Sequence, residues 1–193
     1  MNTEAFSEHS PRHQWEKKYR GNLFLLEQDN VKGFERAVRP PGVRLIIQNK
    51  KGEILLTREI RPEQGGHDFR LPGGKVFDNI GPYLEVRDDE ALLQEAVIDA
   101  AINEAREEAG VENINNLELI KRSSNGATIE WDLFFLKGEA EEFGEQKLHG
   151  DEAVHGIERK FYSKEEILKM LKRGDIKEDR TVAVLYTQLL KDK

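Results

Sequence analysis

One long amphipathic segment constrains the fold of this chain more than any other. The run "DDEALLQEAVIDAAINEAREEAGV" has no proline and no glycine before Gly110, and its apolar residues recur at helical spacing. We therefore predict a helix near 90–109 that stops at Gly110, because glycine commonly follows the last helical turn. The acidic residues fall on the side opposite the apolar ones, so one face of this helix should pack against a core.

The end of this helix concentrates negative charge. Glu104, Glu107 and Glu108 are three and four residues apart and so share one face. Like charges at these spacings destabilise a helix by about 0.2–0.5 kcal/mol per pair. A solvated face is the ordinary explanation, but Mg²⁺ takes carboxylate oxygens together with substrate phosphates as ligands and would offset the repulsion. The glycine turn "LPGGK" at 71–75 precedes the helix across a loop and favours a metal site.

The remaining segments predict a mixture of strands and helices. A loop is predicted at 61–75, followed by an irregular segment, and Asn125-Gly126 is predicted to be a hairpin turn. Ser163 and Glu166 form a capping-box pattern at the start of a helix that should end near Gly174. The other predicted elements are strands near 22–28, 33–39, 43–48, 53–59, 117–124, 128–138 and 157–163, a loop at 138–156 and a last helix at about 179–191.

Composition excludes several classes of protein. The 193 residues carry a net charge of −7, which argues against binding to a nucleic-acid backbone. The absence of cysteine excludes disulfides, thiolate nucleophiles and cysteine-based zinc sites, and fits a cytoplasmic location. The N-terminus lacks the pattern of a secretory signal, and the apolar runs are far shorter than a membrane helix requires. We expect a soluble protein with no membrane partner.

The residues around the helix resemble the signature of the Nudix hydrolases. That signature is a glycine, five residues, a glutamate, seven residues, and then Arg-Glu-apolar-any-Glu-Glu-any-Gly-apolar. Glu95 and most of the run "NEAREEAGV" match it, including all three clustered glutamates. Asn103 stands where the pattern has arginine, so the ion pair that steadies the family's loop–helix–loop must come from elsewhere, with Arg106 and Arg87 as candidates, or be absent. Gly74 precedes Glu95 by 21 positions instead of six, which implies a fifteen-residue insertion at about 75–89.

The flanks of the signature are most similar to the branch of the family that contains ADP-ribose pyrophosphatases and hydrolases of other nucleoside diphosphate sugars. The segments "FERAVRPPGVRLII", "ILLTREIRPEQGGHDFRLPGGKV" and "SSNGATIEWDLFFLKG" carry this similarity, which extends over roughly residues 33–190. It implies an α/β Nudix fold, an α/β/α sandwich with a mixed β-sheet, for a domain spanning 42–193. Residues 1–12 are expected to be disordered, and 13–41 to form an N-terminal arm.

The resemblance also implies the roles of individual residues. Mg²⁺, or Mn²⁺, would be held by Glu104, Glu108, the Gly73 carbonyl and, as a ligand or behind the ligands, Glu107. Arg61 matches the branch's phosphate-contacting arginine, and an arginine fork suits phosphate oxygens. Arg39 is a second candidate for substrate binding. Glu130 either faces the substrate or pairs across the predicted hairpin. The general base of this branch often comes from a late acidic loop, where Glu152 is favoured over Glu141, Glu142, Glu145 and Asp151.

Three functions fit these observations. The first is Mg²⁺-dependent hydrolysis of a nucleoside diphosphate sugar such as ADP-ribose to a nucleoside monophosphate and a sugar phosphate. The second is hydrolysis of a nucleoside triphosphate or dinucleoside polyphosphate, and the third is a nucleotide-binding module without catalysis.

The branch implies a homodimer in which the N-terminal strands, residues 20–40, cross to the partner's site. Trp131 is predicted to lie in the core. For Trp15 and Tyr19 three positions remain open, namely the core, a dimer contact or a surface that stacks on the nucleobase.

Overall fold

A computed structural model describes residues 14–61, 65–126, 128–148 and 156–190 of the chain. The segment 1–12, predicted to be disordered, and Glu152 lie outside these residues. No helix in the described ranges is long and apolar enough to span a membrane. The strands are β1 (Trp15–Arg20), β2 (Leu25–Asp29), β3 (Glu35–Val38), β4 (Gly42–Gln48), β5 (Ile54–Arg61), β6 (Gly66–Arg70), β7 (Asn115–Ser123), β8 (Ile129–Glu130), β9 (Leu133–Glu139) and β10 (Glu158–Tyr162). The helices are α1 (Ile80–Val86), α2 (Glu90–Glu107), α3 (Lys164–Arg173) and α4 (Asp179–Leu190).

The strands form two sheets. The larger sheet has the order β10-β5-β4-β9-β7, with β6 also paired to β5, and it is mixed because β4 and β9 run parallel while the other pairs are antiparallel. The smaller sheet has the order β1-β2-β3-β8, in which only β3 and β8 are parallel. The predicted mixed sheet is therefore confirmed.

Side-chain alternation along β4 places the larger sheet between two layers of helices. Val43, Leu45 and Ile47 are buried in a cluster with α1 and α2. Ile46 is buried on the other face with residues of α3 and α4. Because successive residues of a strand point to opposite faces, one apolar strand serves both cores. The α/β/α sandwich predicted from the sequence is confirmed.

Helix α2 has the predicted extent and the predicted stop. Its buried residues are Leu93, Val97, Ala101 and Ala105, which form a single stripe. Gly110 has a φ of 62°, and the Val111 amide donates to the Ala105 carbonyl at 2.9 Å, closing the last turn as a left-handed glycine cap does. The predicted capping box of Ser163 and Glu166 at α3 is also present.

Several strands differ from the sequence prediction. Strand β1 precedes the first predicted strand, and β6 lies inside the segment predicted to be a loop. The segment 128–138, predicted to be one strand after a hairpin turn, is divided between the two sheets, because β8 pairs with β3 whereas β9 pairs with β4 and β7. The two predicted strands do pair antiparallel, as β7 and β9, but the tight hairpin turn predicted at Asn125-Gly126 is wrong, since β8 pairs with β3 before the chain returns to β7.

The segment predicted to be irregular contains α1. Asn79 caps this helix by accepting from the Gly81 amide, and Ile80 and Tyr83 are buried in the core. The Ile80 amide donates to the Asn22 carbonyl at 2.8 Å, so the helix is tied to the connection between β1 and β2. Residues around 75–89 thus pack between the N-terminal sheet and the main core.

Candidate active site

The glycine turn between β6 and α1 lies directly on β4. The Val43 amide donates to the Gly74 carbonyl and the Leu45 amide donates to the Pro72 carbonyl, both at 2.9 Å. Gly73 has a φ of 142°, and a Cβ atom there would overlap the Val43 carbonyl. A Cβ atom on Gly74 would overlap the carboxylate of Glu104. Gly73 must be glycine because strand backbone fills the space of a Cβ atom, whereas a side chain at Gly74 would displace the Glu104 carboxylate.

Two of the three clustered glutamates face this turn. Glu104 and Glu108 line a cleft of about 380 Å³ together with Gly73 and Gly74. Glu108 is 3% exposed, and its Oε2 accepts from the Gly73 amide at 2.7 Å. Burial, reinforced by the charge of Glu104, raises the pKa of the Glu108 carboxyl well above its usual range. A cation bound in the cleft would therefore offset the unfavourable free energy of holding these two negative charges close together.

Glu107 has a different environment. It lines a neighbouring cavity with Asp99 and Asn103, and Glu104 lies between the two cavities because it contributes to both. The Arg106 guanidinium donates to Glu112 at 3.1 Å and to the Asn103 side chain at 3.4 Å. Arg87, the other candidate partner for the signature helix, instead lies 3.5 Å from Glu27 of the N-terminal sheet.

Four arginines converge on the cleft, namely Arg39, Arg44, Arg61 and Arg70. Arg61 donates from Nε and Nη2 to one carboxylate oxygen of the buried Glu59, at 2.8 and 2.5 Å. Arg61 therefore forms an ion pair and also lines the cleft, while its role as a phosphate ligand stays a prediction. Arg44 donates from Nη1 to the Gly73 carbonyl at 2.5 Å, and burial, with a smaller effect of Arg70, lowers the pKa of its guanidinium.

The cleft has an aromatic wall. The guanidinium carbons of Arg39 and Arg180 lie 4.4 and 4.3 Å from the ring centroid of Trp131, within the range of cation–π contacts. Trp131 is only partly buried and lines the cleft, so its predicted place in the core is wrong. It follows the short strand β8, where the chain crosses between the two sheets and exposes the ring to the cleft.

Glu130 does not line this cleft. Its carboxylate lies 2.8 Å from Arg36 and accepts from the Tyr83 hydroxyl at 3.3 Å. It borders a separate cavity that also contains Trp15 and Phe34. Its ion pairs are with Arg36 of β3 and, at 4.0 Å, with Arg87, and not with the opposite strand of a hairpin.

The first part of the acidic loop after β9 packs against the C-terminal end of α2. The Gln146 side chain donates to the Glu108 carbonyl at 2.6 Å, and the Gly144 amide donates to the Gly110 carbonyl at 2.7 Å. Arg159 donates to the Ala109 carbonyl from β10. These bonds hold residues 144–147 against the helix that carries the glutamates. Of the candidate bases, Glu141 pairs with Lys50 at 2.7 Å, whereas Asp151 and Glu152 lie beyond the described part of this loop.

The residues present fit a hard divalent cation. Within the described ranges no group of three or more acidic or histidine side chains converges as a closed cage. Mg²⁺ does not need one, because it binds through one or two carboxylates and retains several waters for substrate phosphates to replace. Glu104 and Glu108 supply those two carboxylates in an open cleft, and the Gly73 carbonyl lies beside them with one bond already made to Arg44.

Sequence reasoning missed Arg44, Arg70 and Glu59. Each is a charged residue within an apolar or β-forming run, such as "GVRLIIQ" for Arg44. A single arginine on one face of an otherwise buried strand is a signal that could have been found, because charged residues are seldom buried without a specific partner.

The fold is an α/β/α sandwich whose cleft combines two glutamates and a glycine turn with four arginines. The NUDIX domain family matches residues 38–185, which is most of the chain, so the protein belongs to the Nudix family of pyrophosphohydrolases. A solved structure described as "Crystal structure of ADP compounds hydrolase" superimposes with a TM-score of 0.63 and 19% sequence identity, covering 96% of each chain. No curated protein matches the sequence significantly. The predicted family and fold are confirmed.

Proposed function

We propose that this Nudix hydrolase cleaves the diphosphate of a nucleoside diphosphate sugar such as ADP-ribose, giving a nucleoside monophosphate and a sugar phosphate. The observation that carries the proposal is the meeting of Glu104 and Glu108 with the glycine turn and Arg61 in one cleft. The similarity of the flanking segments to the ADP-ribose branch supports this substrate class. The structural neighbour, an ADP compounds hydrolase, supports it as well.

Each group in the cleft has a distinct role in this proposal. Mg²⁺ or Mn²⁺ would be held by Glu104, Glu108 and the Gly73 carbonyl, with Glu107 behind them, and when bound it would stabilise negative charge on the diphosphate. Arg61 binds and orients the diphosphate through its guanidinium fork. Glu152 accepts the proton of the attacking water.

Arg39 and Glu130 are assigned to substrate binding with different partners. Arg39 is presented to the cleft by its stacking on Trp131, and the guanidinium plane suits a phosphate oxygen pair. Glu130 borders the cavity beside Trp15, where a carboxylate can accept from the hydroxyls of a ribose. The two residues would therefore contact the anionic and the nucleoside parts of the substrate respectively.

A more highly phosphorylated nucleotide is the second candidate. Among the described residues, five cationic side chains line the cleft, since Lys75 joins the four arginines, against two carboxylates. This excess of positive charge favours a nucleoside triphosphate or dinucleoside polyphosphate over a substrate that carries a single diphosphate.

We also propose a homodimer formed through the N-terminal arm, residues 13–41, attached to a hydrolase domain of 42–193. The smaller sheet presents a row across its strands in which Tyr19 pairs with Leu26, Leu26 with Ala37, and Ala37 with Ile129. Tyr19, Leu26 and Ile129 are 62%, 44% and 45% exposed. An apolar row of this kind is the type of surface that a second subunit covers.

A substrate panel tests the proposed reaction. The protein is incubated with Mg²⁺ and ADP-ribose, GDP-mannose, UDP-glucose, diadenosine polyphosphates or dNTPs in ¹⁸O-labelled water, and the products are analysed by mass spectrometry. Turnover of a nucleoside diphosphate sugar, with one label in one monophosphate, is expected. Preferred turnover of the polyphosphates would favour the second candidate. Nucleotide binding without turnover of any compound would identify a binding module and contradict the enzymatic proposal.

A further inference from the structure

The glycine turn is held at Gly73 by two side chains on opposite sides of its α-carbon. The Gly73 amide donates to Glu108 at 2.7 Å, and the Gly73 carbonyl accepts from Arg44 at 2.5 Å. The neighbouring carbonyls, those of Pro72 and Gly74, are bound by backbone amides of β4. Both peptide units that flank Gly73 are therefore fixed, one of them by the glutamate and the other by the arginine.

Arg44 makes further contacts on β4. Its Nη1 also donates to the Val43 carbonyl at 2.9 Å, and its buried Nε has no hydrogen-bond acceptor among the described residues. A partly buried guanidinium that no carboxylate of the described residues binds directly is costly, and such a residue is retained where a specific contact requires it. Here that contact is the carbonyl of a glycine with exceptional backbone freedom.

We propose that Arg44 is a positioning residue that locks the Gly73–Gly74 peptide and thereby aims the Gly73 carbonyl into the cleft as a metal ligand. Without the arginine, the Gly73 carbonyl loses its only side-chain donor in the described structure, and this peptide can rotate. The carbonyl then turns away from Glu104 and Glu108, while the Gly73 amide stays on Glu108 because the Leu45 amide holds the preceding peptide. Arg44 thus connects β4, the glycine turn and α2 in the region where Asn103 replaces the arginine of the signature.

This inference rests on the proposed metal-dependent hydrolysis, but its test does not require turnover. Mn²⁺ affinity is measured by electron paramagnetic resonance and Mg²⁺ affinity by calorimetry for wild type, Arg44→Met, Arg44→Lys and the control Arg58→Met. Arg58 forms an exposed ion pair with Glu158 on the same sheet and lies outside the cleft. Residues that orient metal ligands from behind change metal affinity or activity by about 10–100-fold.

We expect Arg44→Met to weaken metal binding and lower kcat by about 10–100-fold, with less than a threefold change in KM and no fall in melting temperature. Arg44→Lys, which keeps one donor and the charge, should recover part of both losses, and Arg58→Met should behave as wild type. Unchanged metal affinity in Arg44→Met would overturn the proposal, as would a loss confined to KM, which would identify a direct substrate contact.

Two further outcomes keep the proposal and the proposed function separate. If Arg44→Met does not fold, the comparison of Arg44→Lys with wild type decides, since a purely structural arginine would leave metal affinity unchanged in the folded lysine variant. If wild type binds metal but hydrolyses none of the substrates, the proposed function fails, while the difference in metal affinity between wild type and Arg44→Met still tests the role of Arg44.

Discussion

The amide of Gly73 and the carboxylate of Glu108 are joined across the cleft at 2.7 Å, which links the glycine turn to the helix of glutamates. This bond is made by a carboxylate that is 3% exposed and lies close to the negative charge of Glu104. The site therefore holds a negative charge that the metal-free fold does not favour, as expected where function requires a locally unfavourable arrangement.

Glu108→Gln should stabilise the metal-free protein while it inactivates the enzyme. Because the folded state raises the pKa of Glu108 above its ordinary value of 4.5, the ionised carboxylate destabilises the fold increasingly as pH rises above that value. At pH 7 the neutral amide removes this penalty. We expect a melting temperature higher by about 2–4 °C, equivalent to about 1 kcal/mol, and at least a 100-fold loss of turnover. Differential scanning fluorimetry in EDTA and a hydrolysis assay measure the two effects.

The exposed Glu112 supplies the control for this variant. Its carboxylate pairs with Lys147 and Arg106, and Glu112→Gln should neither raise the melting temperature nor reduce turnover. A lower melting temperature of Glu108→Gln at pH 7 would contradict the account, because it would mean that the ionised carboxylate stabilises the metal-free fold.

Gly74→Ala should disable the site by displacing Glu104. The added methyl group would overlap the Glu104 carboxylate, and the glycine turn cannot retreat because β4 holds the Gly74 carbonyl. We expect at least a 10-fold loss of metal affinity, measured by calorimetry, with the circular dichroism spectrum unchanged. Gly126→Ala is the matched control, since a Cβ atom there meets nothing within 4 Å. Equal metal affinity in the two variants would exclude this role for Gly74.

Periodicity predicted the parts of the fold that local chemistry determines. Helix α2, the stop at Gly110 and the capping box of α3 follow from apolar spacing and cap residues close in sequence. Strand β6 was missed because "GHDFR" alternates weakly and is held by pairing with β5. The division of 128–138 between two sheets was missed for a related reason, since it depends on which distant strands lie beside β8 and β9. Such pairings are tertiary and override local preference.

The same distinction applies to the candidate site. Glu104 and Glu108 were predicted because their spacing matches a family signature, and the glycine turn because it precedes the helix across a loop, although an insertion displaces it; the structure brings all of them together in one cleft. Arg44 and Trp131 reach the cleft through the packing of β4 and the crossing between sheets; a lone arginine in an apolar strand marks Arg44 as unusual, but no nearby residue pattern places either residue at the cleft. Glu107 shares the helix face of its neighbours in sequence, yet it lines the adjoining cavity.

Arg61 should contribute to substrate binding more than to the chemical step. Glu59 already holds the Arg61 guanidinium in one orientation, so its N–H donors are prearranged for a phosphate group. We expect Arg61→Ala to raise KM about 10–100-fold, corresponding to about 1.4–2.8 kcal/mol, with a smaller change in kcat. Arg61→Lys should not restore KM, because an ammonium group cannot bind in the two-pronged manner. The variants are compared by steady-state kinetics on the best substrate, with Arg58→Ala as control. A fall in kcat without a change in KM would contradict this role.

Glu107→Gln should be far milder than Glu104→Gln. Glu104 faces the cleft with Gly74, whereas Glu107 lines the cavity shared with Asp99 and Asn103. We expect Glu104→Gln to lower kcat at least 100-fold and Glu107→Gln less than 10-fold, at saturating Mg²⁺. Titration of activity against Mg²⁺ separates a ligand from a residue behind it, because the Mg²⁺ concentration for half-maximal activity should rise more when a direct ligand is lost. Equal losses in the two variants would place Glu107 among the direct ligands.

Leu26→Lys should separate the proposed dimer. Leu26 is 44% exposed and lies in the middle of the apolar row, between Tyr19 and Ala37 in the register of the smaller sheet. A lysine there places a charge at the centre of an apolar contact, which desolvation makes unfavourable. We expect wild type to run as a dimer and Leu26→Lys as a monomer in size-exclusion chromatography with light scattering. Leu92→Lys, at a similarly exposed leucine on α2, should remain dimeric. If the N-terminal strands complete the partner's site, the monomeric variant should also lose activity, whereas full activity in a monomer would show that each chain carries a complete site.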